Sequence, residues 1–493
     1  MTGGQARVLE RPLARGAAEG AVAPPPEGAR IAVVGGGLAG TAAALACADA
    51  GAKVTLLEKR ARLGGLTWSF SHEGLTMDNG QHVFLRCCTA YLEFLDRIGS
   101  AGDVCLQERL DLTVLRPRTS QSPGAGPERA TLRRDRARAP FHLARCLLGY
   151  RMLPPGPRAL LGPAALALSR LDLDDPDLDN QTFAAWLARH HQGPAAVAAL
   201  WDLICLPTVN LRAQEASLAM AAKVFQTGLL RDCAGGDIGW SRVPLGQLHG
   251  ERSARALHKA GVAVHLGDAA RRVERWPVRG AGEGAPRGLV IRTSGGELEA
   301  DGVIVALPHY CTEEVLPAGV LGAARPSALA SSPIVNVHVH FDRQVMAVPL
   351  AAGLGTLAQW VFDRTSSSGA GRGQYLAVSI SAADGCIGAR PDELGQQVVA
   401  ALRLLFPRAR QAEVLSTFVT REHHATFRAL PGSARHRSAP RTGLPGLAVA
   451  GAWTSTGWPP TMEGAVRSGL AAARAVLVAT GQRRWLPALP GAA

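Results

Sequence analysis

The sequence predicts an α/β fold, α+β when the whole chain is counted. A parallel-sheet domain is gathered from separated stretches, with a mixed sheet-plus-helix domain inserted between them. Three observations predict it. The run "RIAVVGGGLAGTAAALACADAGAKVTLLEKR" passes from apolar strand to glycine turn, small-residue helix and second apolar strand. In mid-chain, "VHLGDAARRVERW" and "LEADGVIVALPH" return to strand character. Near the end, "LAVAGAWTSTGWPPTMEGAVRSGLAAARAV" gives a further strand, a glycine loop and a helix. Alternation of this kind builds parallel sheets.

The first unit fixes a ligand class. Ile31–Val34 is the strand, Gly35, Gly37 and Gly40 form GxGxxG, and Leu38 and Ala39 open the helix, whose apolar face carries Ala42, Leu45 and Ala46. Val54–Leu57 is the second strand and Glu58 follows it, flanked by Lys59 and Arg60. Glycines let backbone N–H groups close on a pyrophosphate at a helix N-terminus, while a carboxylate about twenty residues on can accept from a ribose. This is a Rossmann-like dinucleotide site. A second pair, Gly64-Gly65, comes soon after, followed by "DNGQHVF" at 78–84. A nicotinamide enzyme needs no such loop.

In the tail, the helix opens near Met462–Gly464 with Ala465 beside it. Val466, Leu470, Ala473 and Leu477 form its apolar stripe, and Arg467 and Arg474 point elsewhere. The segment holds no nucleophile or metal set. Its bare first turn suits a ring approaching the positive helix end, an effect of ~0.3–2 kcal/mol.

These motifs resemble the FAD-containing amine oxidase and phytoene desaturase superfamily. The resemblance implies an amine oxidase-like, discontinuous FAD-binding domain at 29–115, 240–310 and 435–480. The substrate domain falls at 116–239 and 311–434. It also implies that the Gly64-Gly65 loop lies along the FAD pyrophosphate, that Val273 offers a backbone contact to adenine, and that Gly451, Ala452, Met462, Glu463 and Ala465 cover the flavin. Two positions depart from the superfamily: Leu66 stands where arginine is usual, and Ala452 where aspartate is usual. Arg60 and Arg62 are the candidate replacements for the lost charge.

"NQTFAAWLARHHQGPAAVAALWDLICLPTVNLRAQEASLAMAAKVFQTGLL", "GWSRVPLGQLHGE", "AQWVFDRT" and "GWPPTMEGAVRSG" resemble the hydroxysqualene dehydroxylase family of squalene and hopanoid biosynthesis. The resemblance runs from about Arg30 to Val478. It implies reductive loss of the hydroxyl of hydroxysqualene, a long-chain isoprenoid substrate, with neighbouring squalene-pathway enzymes as partners. Such chemistry demands a dry apolar tunnel and one proton donor. Trp186, Leu187, Trp201, Ile204, Leu206, Phe225, Trp240, Trp360, Phe362 and Trp458 supply tunnel material. His82 leads as donor because its ordinary pKa lies near working pH, and Asp78 and Glu463 are runners-up. A polyene desaturase, a flavin amine oxidase and a non-catalytic flavoprotein scaffold stay open as alternatives.

Composition bounds the rest. The net charge of +13 comes from arginine, since lysine occurs only at 53, 59, 223 and 259. No nucleic-acid module accompanies it. The nine cysteines stand singly apart from Cys87-Cys88, without metal-ligand spacing, and read as reduced cytoplasmic thiols. Residues 1–28 and 481–493 read as tails, and 116–140 as a flexible Pro/Arg/Ser-rich insertion. Asn336, His338 and His340 share a solvated sheet face. From Phe141 to Leu171, apolar clusters broken by prolines alternate with arginines. That pattern suits core helices or peripheral contact with the anionic inner face of a cell membrane. No stretch supplies the ~20 largely apolar residues in sequence of a spanning helix.

Overall fold

The Arg30–Val34 strand sits at the centre of a five-stranded parallel sheet, with burial on both faces from Ile31 onward. Across the sheet the order is Ala263–Leu266, Lys53–Glu58, Arg30–Val34, Gly302–Val305 and Leu447–Val449. Three remote regions of the chain therefore join the opening βαβ unit, as the separated strand signals predict. The computed structural model describes residues 28–118, 126–275 and 288–482. The expected tails, the centre of the 116–140 insertion and the link after Arg275 lie outside those residues.

Two helices pack against each other on this sheet, Leu38–Asp49 and Met462–Ala479. The contact is so close that a Cβ on Gly469 would lie 2.1 Å from the Ala39 carbonyl oxygen. Small residues make that approach possible, and it carries the start of the tail helix towards the glycine loop. A three-stranded antiparallel sheet, Ala270–Arg275, Leu289–Thr293 and Glu297–Ala300, covers part of the same core.

The inserted domain is a seven-stranded mixed sheet with helices. Its strand order is Val414–Phe427, Ser331–Phe341, Gln374–Ile380, Trp360–Asp363, Leu350–Gly353, Asp111–Arg116 and Glu128–Arg133. Two expectations are corrected here. Asp111–Arg116 pairs in parallel with Leu350–Gly353, so the boundary drawn at 115 is too late. A buried run such as "LTVL" fits either sheet, and only its partner decides. Much of 116–140 is ordered, because Glu128–Arg133 forms a hairpin with 111–116 and turns Ala130 and Leu132 inward. Two apolar residues at period two were hidden among arginines.

A third correction concerns the Ser331–Phe341 strand. Asn336 and His338 are buried, at 1% exposure each, beneath the Ser69–His72/Leu75–Asp78 hairpin, and only His340 keeps partial access. Phe70, Tyr375 and Phe418 surround the His338 ring. Period two identified the shared face correctly but could not say what covers it. Among the described residues no helix is long and apolar enough to cross a membrane.

Candidate functional site

The two glycine loops form one cradle. Gly64 N–H donates to the Gly36 carbonyl at 2.9 Å, and a Cβ on Gly65 would stand 3.0 Å from the Gly37 Cα. Gly64 and Gly65 both have positive φ, 96° and 58°, which a side chain would strain. Gly40 allows the helix to start tight against the turn, where a Cβ would come 1.8 Å from the Gly35 carbonyl oxygen. The buried Glu58 carboxylate accepts from Gly36 N–H at 2.7 Å and Arg60 N–H at 2.9 Å. Those bonds fix it at the strand end, where further lone pairs can meet a ribose.

Arg60 and Arg62 each place Nη1 on the Gly65 carbonyl, at 3.4 and 3.1 Å. Arg62 also lies over the Trp68 ring at 4.5 Å. Burial, then the neighbouring Arg60 charge, holds the Arg62 guanidinium below its ordinary pKa. Two cations crowded beside bare backbone make a site short of an anion. The carbonyl they share belongs to Gly65, the residue before Leu66. Lys59 is exposed. Val273 is fully buried in the core that also holds Ala32, Val34 and Leu57.

Asp78 through His82 bridges the domains. Asp78 is buried, accepting from Ser69 Oγ at 2.6 Å, Leu245 N–H at 2.8 Å and Arg364 Nη2 at 3.0 Å. These bonds occupy the carboxylate as an acceptor and tie hairpin to sheet. Asn79 is bonded on both sides, its amide to the Leu66 carbonyl and its carbonyl to Asn336 and Thr420. Next to it three buried polar atoms lack a protein partner: Gln81 Nε2, His82 Nδ1 and Asn336 Oδ1. Buried polar atoms are normally satisfied, so this group marks where a polar ring edge fits. His82 lines a small cavity with Trp240, Phe362 and Arg364. Burial lowers its pKa from the ordinary value, against opposing effects of the Gly80 backbone and Asp78.

The tail loop closes the other side. Thr461 caps the Met462–Ala479 helix by accepting from Gly464 N–H at 3.2 Å, and Gly451 N–H donates to Ser468 Oγ at 2.8 Å. Ala452 and Ala465 stay partly accessible, and neither adds a polar group. Glu463 is almost fully buried. It accepts from Ala90 and Tyr91 N–H at the start of the Thr89–Arg97 helix and pairs with Arg467 at 2.6 Å. Its carboxylate thus caps a neighbouring helix, and burial raises its pKa against the opposing pull of Arg467 and the two N–H groups. Arg467, expected to point away, is buried over Trp458 at 4.7 Å.

Beside the tail loop opens an apolar cavity of about 1550 Å³, counting space continuous with solvent. Trp201, Trp360 and Trp458 line it together with Ile204 and Phe225, and Thr461, Met462 and Glu463 line it too. Trp240 and Phe362 line the small His82 cavity instead, and Val83 is shared by both. Leu206 is buried but lines neither. On the Asp202–Val209 helix the lining stripe is Leu203, Ile204, Pro207 and Thr208, and position 206 falls off it at 100° per residue. Trp186 and Leu187 belong to the supporting core.

Sequence reasoning missed Lys223. It projects into this cavity wall, with Nζ 5.1 Å from the Trp458 ring centroid, and burial lowers its pKa ahead of the nearby Arg231 and Arg467 charges. The only signal was a single cation in the apolar run "SLAMAAKVF". The buried His249–Tyr91 bond of 2.7 Å was missed as well.

Comparison with known proteins agrees with this geometry. The model of the family described as flavin containing amine oxidoreductase matches residues 38–477. Hydroxysqualene dehydroxylase of Sinorhizobium fredii is 26% identical over 474 residues, covering 91% of this chain and 98% of that protein. Zeta-carotene desaturase of Arabidopsis thaliana is 23% identical over 495 residues, covering 89% and 84%. Among solved structures, cyclohexylamine oxidase from Brevibacterium oxydans superposes with a TM-score of 0.67 at 18% identity, covering 92% of this chain and 99% of that one, a likeness of fold. The glycine cradle, the buried Glu58 and the unsatisfied polar group fit the cofactor that such a fold carries. The chain belongs to the flavin containing amine oxidoreductase family, within the amine oxidase and carotenoid desaturase superfamily, and its cofactor is FAD.

Proposed function

We propose that this protein reductively removes the hydroxyl of hydroxysqualene, giving squalene and water. The cavity carries this reading. It is apolar, and its lining includes Thr461, Met462 and Glu463 at the helix start where we set the flavin ring. Reduced FAD supplies the two electrons and the hydrogen that replaces the hydroxyl. The chain's own residues do the remainder. Trp201, Phe225, Trp360 and Trp458 hold an isoprenoid chain and keep out water, which would otherwise compete for an electron-poor allylic carbon. The departing oxygen needs one proton. Lys223 Nζ and His82 are the groups able to hold it, one in the cavity wall and one next to it. Lys223 suits the task better, because it lines the apolar cavity itself, whereas His82 lines the smaller one and burial leaves its imidazole neutral.

A desaturase acting on a polyene would use the same apolar cavity, and the likeness to zeta-carotene desaturase supports that second reading. An amine would leave a cation facing a wall whose carboxylate, Glu463, is already paired. Anaerobic titration separates these. Reduced protein mixed with hydroxysqualene is expected to regain its oxidised flavin bands with one squalene formed per flavin. Bleaching of oxidised flavin by a polyene or an amine, with no reoxidation by hydroxysqualene, would replace this proposal. Protein that purifies without flavin bands and does not take up FAD would support the scaffold alternative.

A further inference from the structure

We propose that the surface formed by residues 136–171 docks on an anionic lipid bilayer and admits the apolar substrate directly from it; the substrate half of this rests on the function proposed above. Eight large apolar side chains stand exposed among the described residues, and four of them, Phe141, Leu148, Leu160 and Leu166, fall in this one short segment. Phe141 and Leu148 are the most exposed of all, at 68% and 69%. Large apolar groups gathered on a surface mark a contact with something apolar.

Their position identifies what they contact. Leu148 follows the cavity-lining Leu147, Leu160 precedes the lining Leu161, Leu166 follows the lining Ala165, and Phe141 stands two residues before the lining Leu143. One face of these short helices walls the cavity while the other meets solvent. The wall of the cavity is thus one residue thick here, and apolar tips stand on its outside as well as its inside.

Charge selects a membrane over a protein groove. Residues 136–171 contain six arginines, at 136, 138, 145, 151, 158 and 170, and no aspartate or glutamate, in a chain with 40 acidic residues. Arg138, Arg145, Arg151 and Arg170 are exposed. Cations interleaved with apolar tips match a headgroup layer over acyl chains. The helices are short, 144–148, 155–159 and 161–169, with prolines at 154, 155, 157 and 163 before or in their first turns, so they can lie in an interface but cannot cross it.

The test is flotation of the holoprotein with vesicles of phosphatidylcholine alone or mixed with phosphatidylglycerol, without substrate. The protein is expected to float with the anionic vesicles at low salt and to be released by high salt. Phe141→Asp combined with Leu148→Asp should lower binding at least about tenfold, with flavin absorbance and melting temperature unchanged. Arg145→Glu combined with Arg151→Glu should do the same through charge alone. Holoprotein that stays in the supernatant, or a Phe141→Asp/Leu148→Asp variant that floats as well as the parent, overturns docking. So does light scattering that shows a dimer abolished by Leu148→Asp while no flotation occurs, since the occupant would then be a second copy. Turnover of detergent-dispersed hydroxysqualene should survive in both variants while turnover from vesicles falls. If the parent floats but never consumes hydroxysqualene, docking stands and the reaction assigned above falls.

Discussion

The cradle and the cavity hold opposite kinds of ligand by opposite means. In the cradle the working groups are backbone atoms, and glycines at 40, 64 and 65 are there because a side chain would clash or strain the backbone. In the cavity the working groups are side chains, drawn from many elements, and most could exchange with another apolar residue of similar volume. A backbone site tolerates few sequences and so leaves a motif. A cavity tolerates many and leaves only a composition.

That contrast can be broken at its strongest point. Gly40→Val would drive a side chain into the Gly35 carbonyl, and the protein is expected to purify without flavin bands. Ile204→Leu in the cavity wall should cost under ~1.5 kcal/mol and keep full flavin content. Equal flavin content in the two variants would erase the distinction. The junction between the regions is next. Arg364→Ala leaves Asp78 buried without its cation and should cost ~3–5 kcal/mol in urea denaturation. Asp78→Asn with Arg364→Met should lose much less, because no charge is stranded.

Acid should also act at the buried face between the regions. Burial pushes His338 and His249 down to about 3 and His309 to about 4. Each is neutral when folded and binds a proton more readily when unfolded. Their stabilisation is therefore complete above the unfolded value near 6.5 and is lost as pH falls towards the folded values. At pH 5 each should remove on the order of 2 kcal/mol, and His338→Gln should flatten the fall in melting temperature between pH 7 and 5. The smallest effect belongs to the cradle's charge. Arg62→Ala should weaken FAD binding to the apoprotein by about 1.5 kcal/mol, and Leu66→Arg in that variant should restore it.

The same contrast explains what could be read in advance. The opening βαβ unit, Glu58, both glycine pairs and the tail helix were legible because each rests on local spacing. The separate strands were legible as strands, and their common sheet only through family resemblance. The structural bonds of Glu463 and Asp78 were not legible because their partners, Ala90, Tyr91 and Arg364, lie hundreds of residues away in sequence. His338 was taken as solvated for the same reason, since its cover comes from a hairpin near residue 70. Lys223 was invisible because one lysine in an apolar helix carries no spacing at all.

The placement of Leu447–Val449 and Glu463 has a consequence for biosynthesis. The edge strand of the first sheet, and the carboxylate that caps the Thr89–Arg97 helix, reside in the last tenth of the chain. At about 5–20 residues per second, the ribosome makes the glycine loop early and its lid tens of seconds later. Nascent chains stalled before residue 447 should therefore emerge colourless.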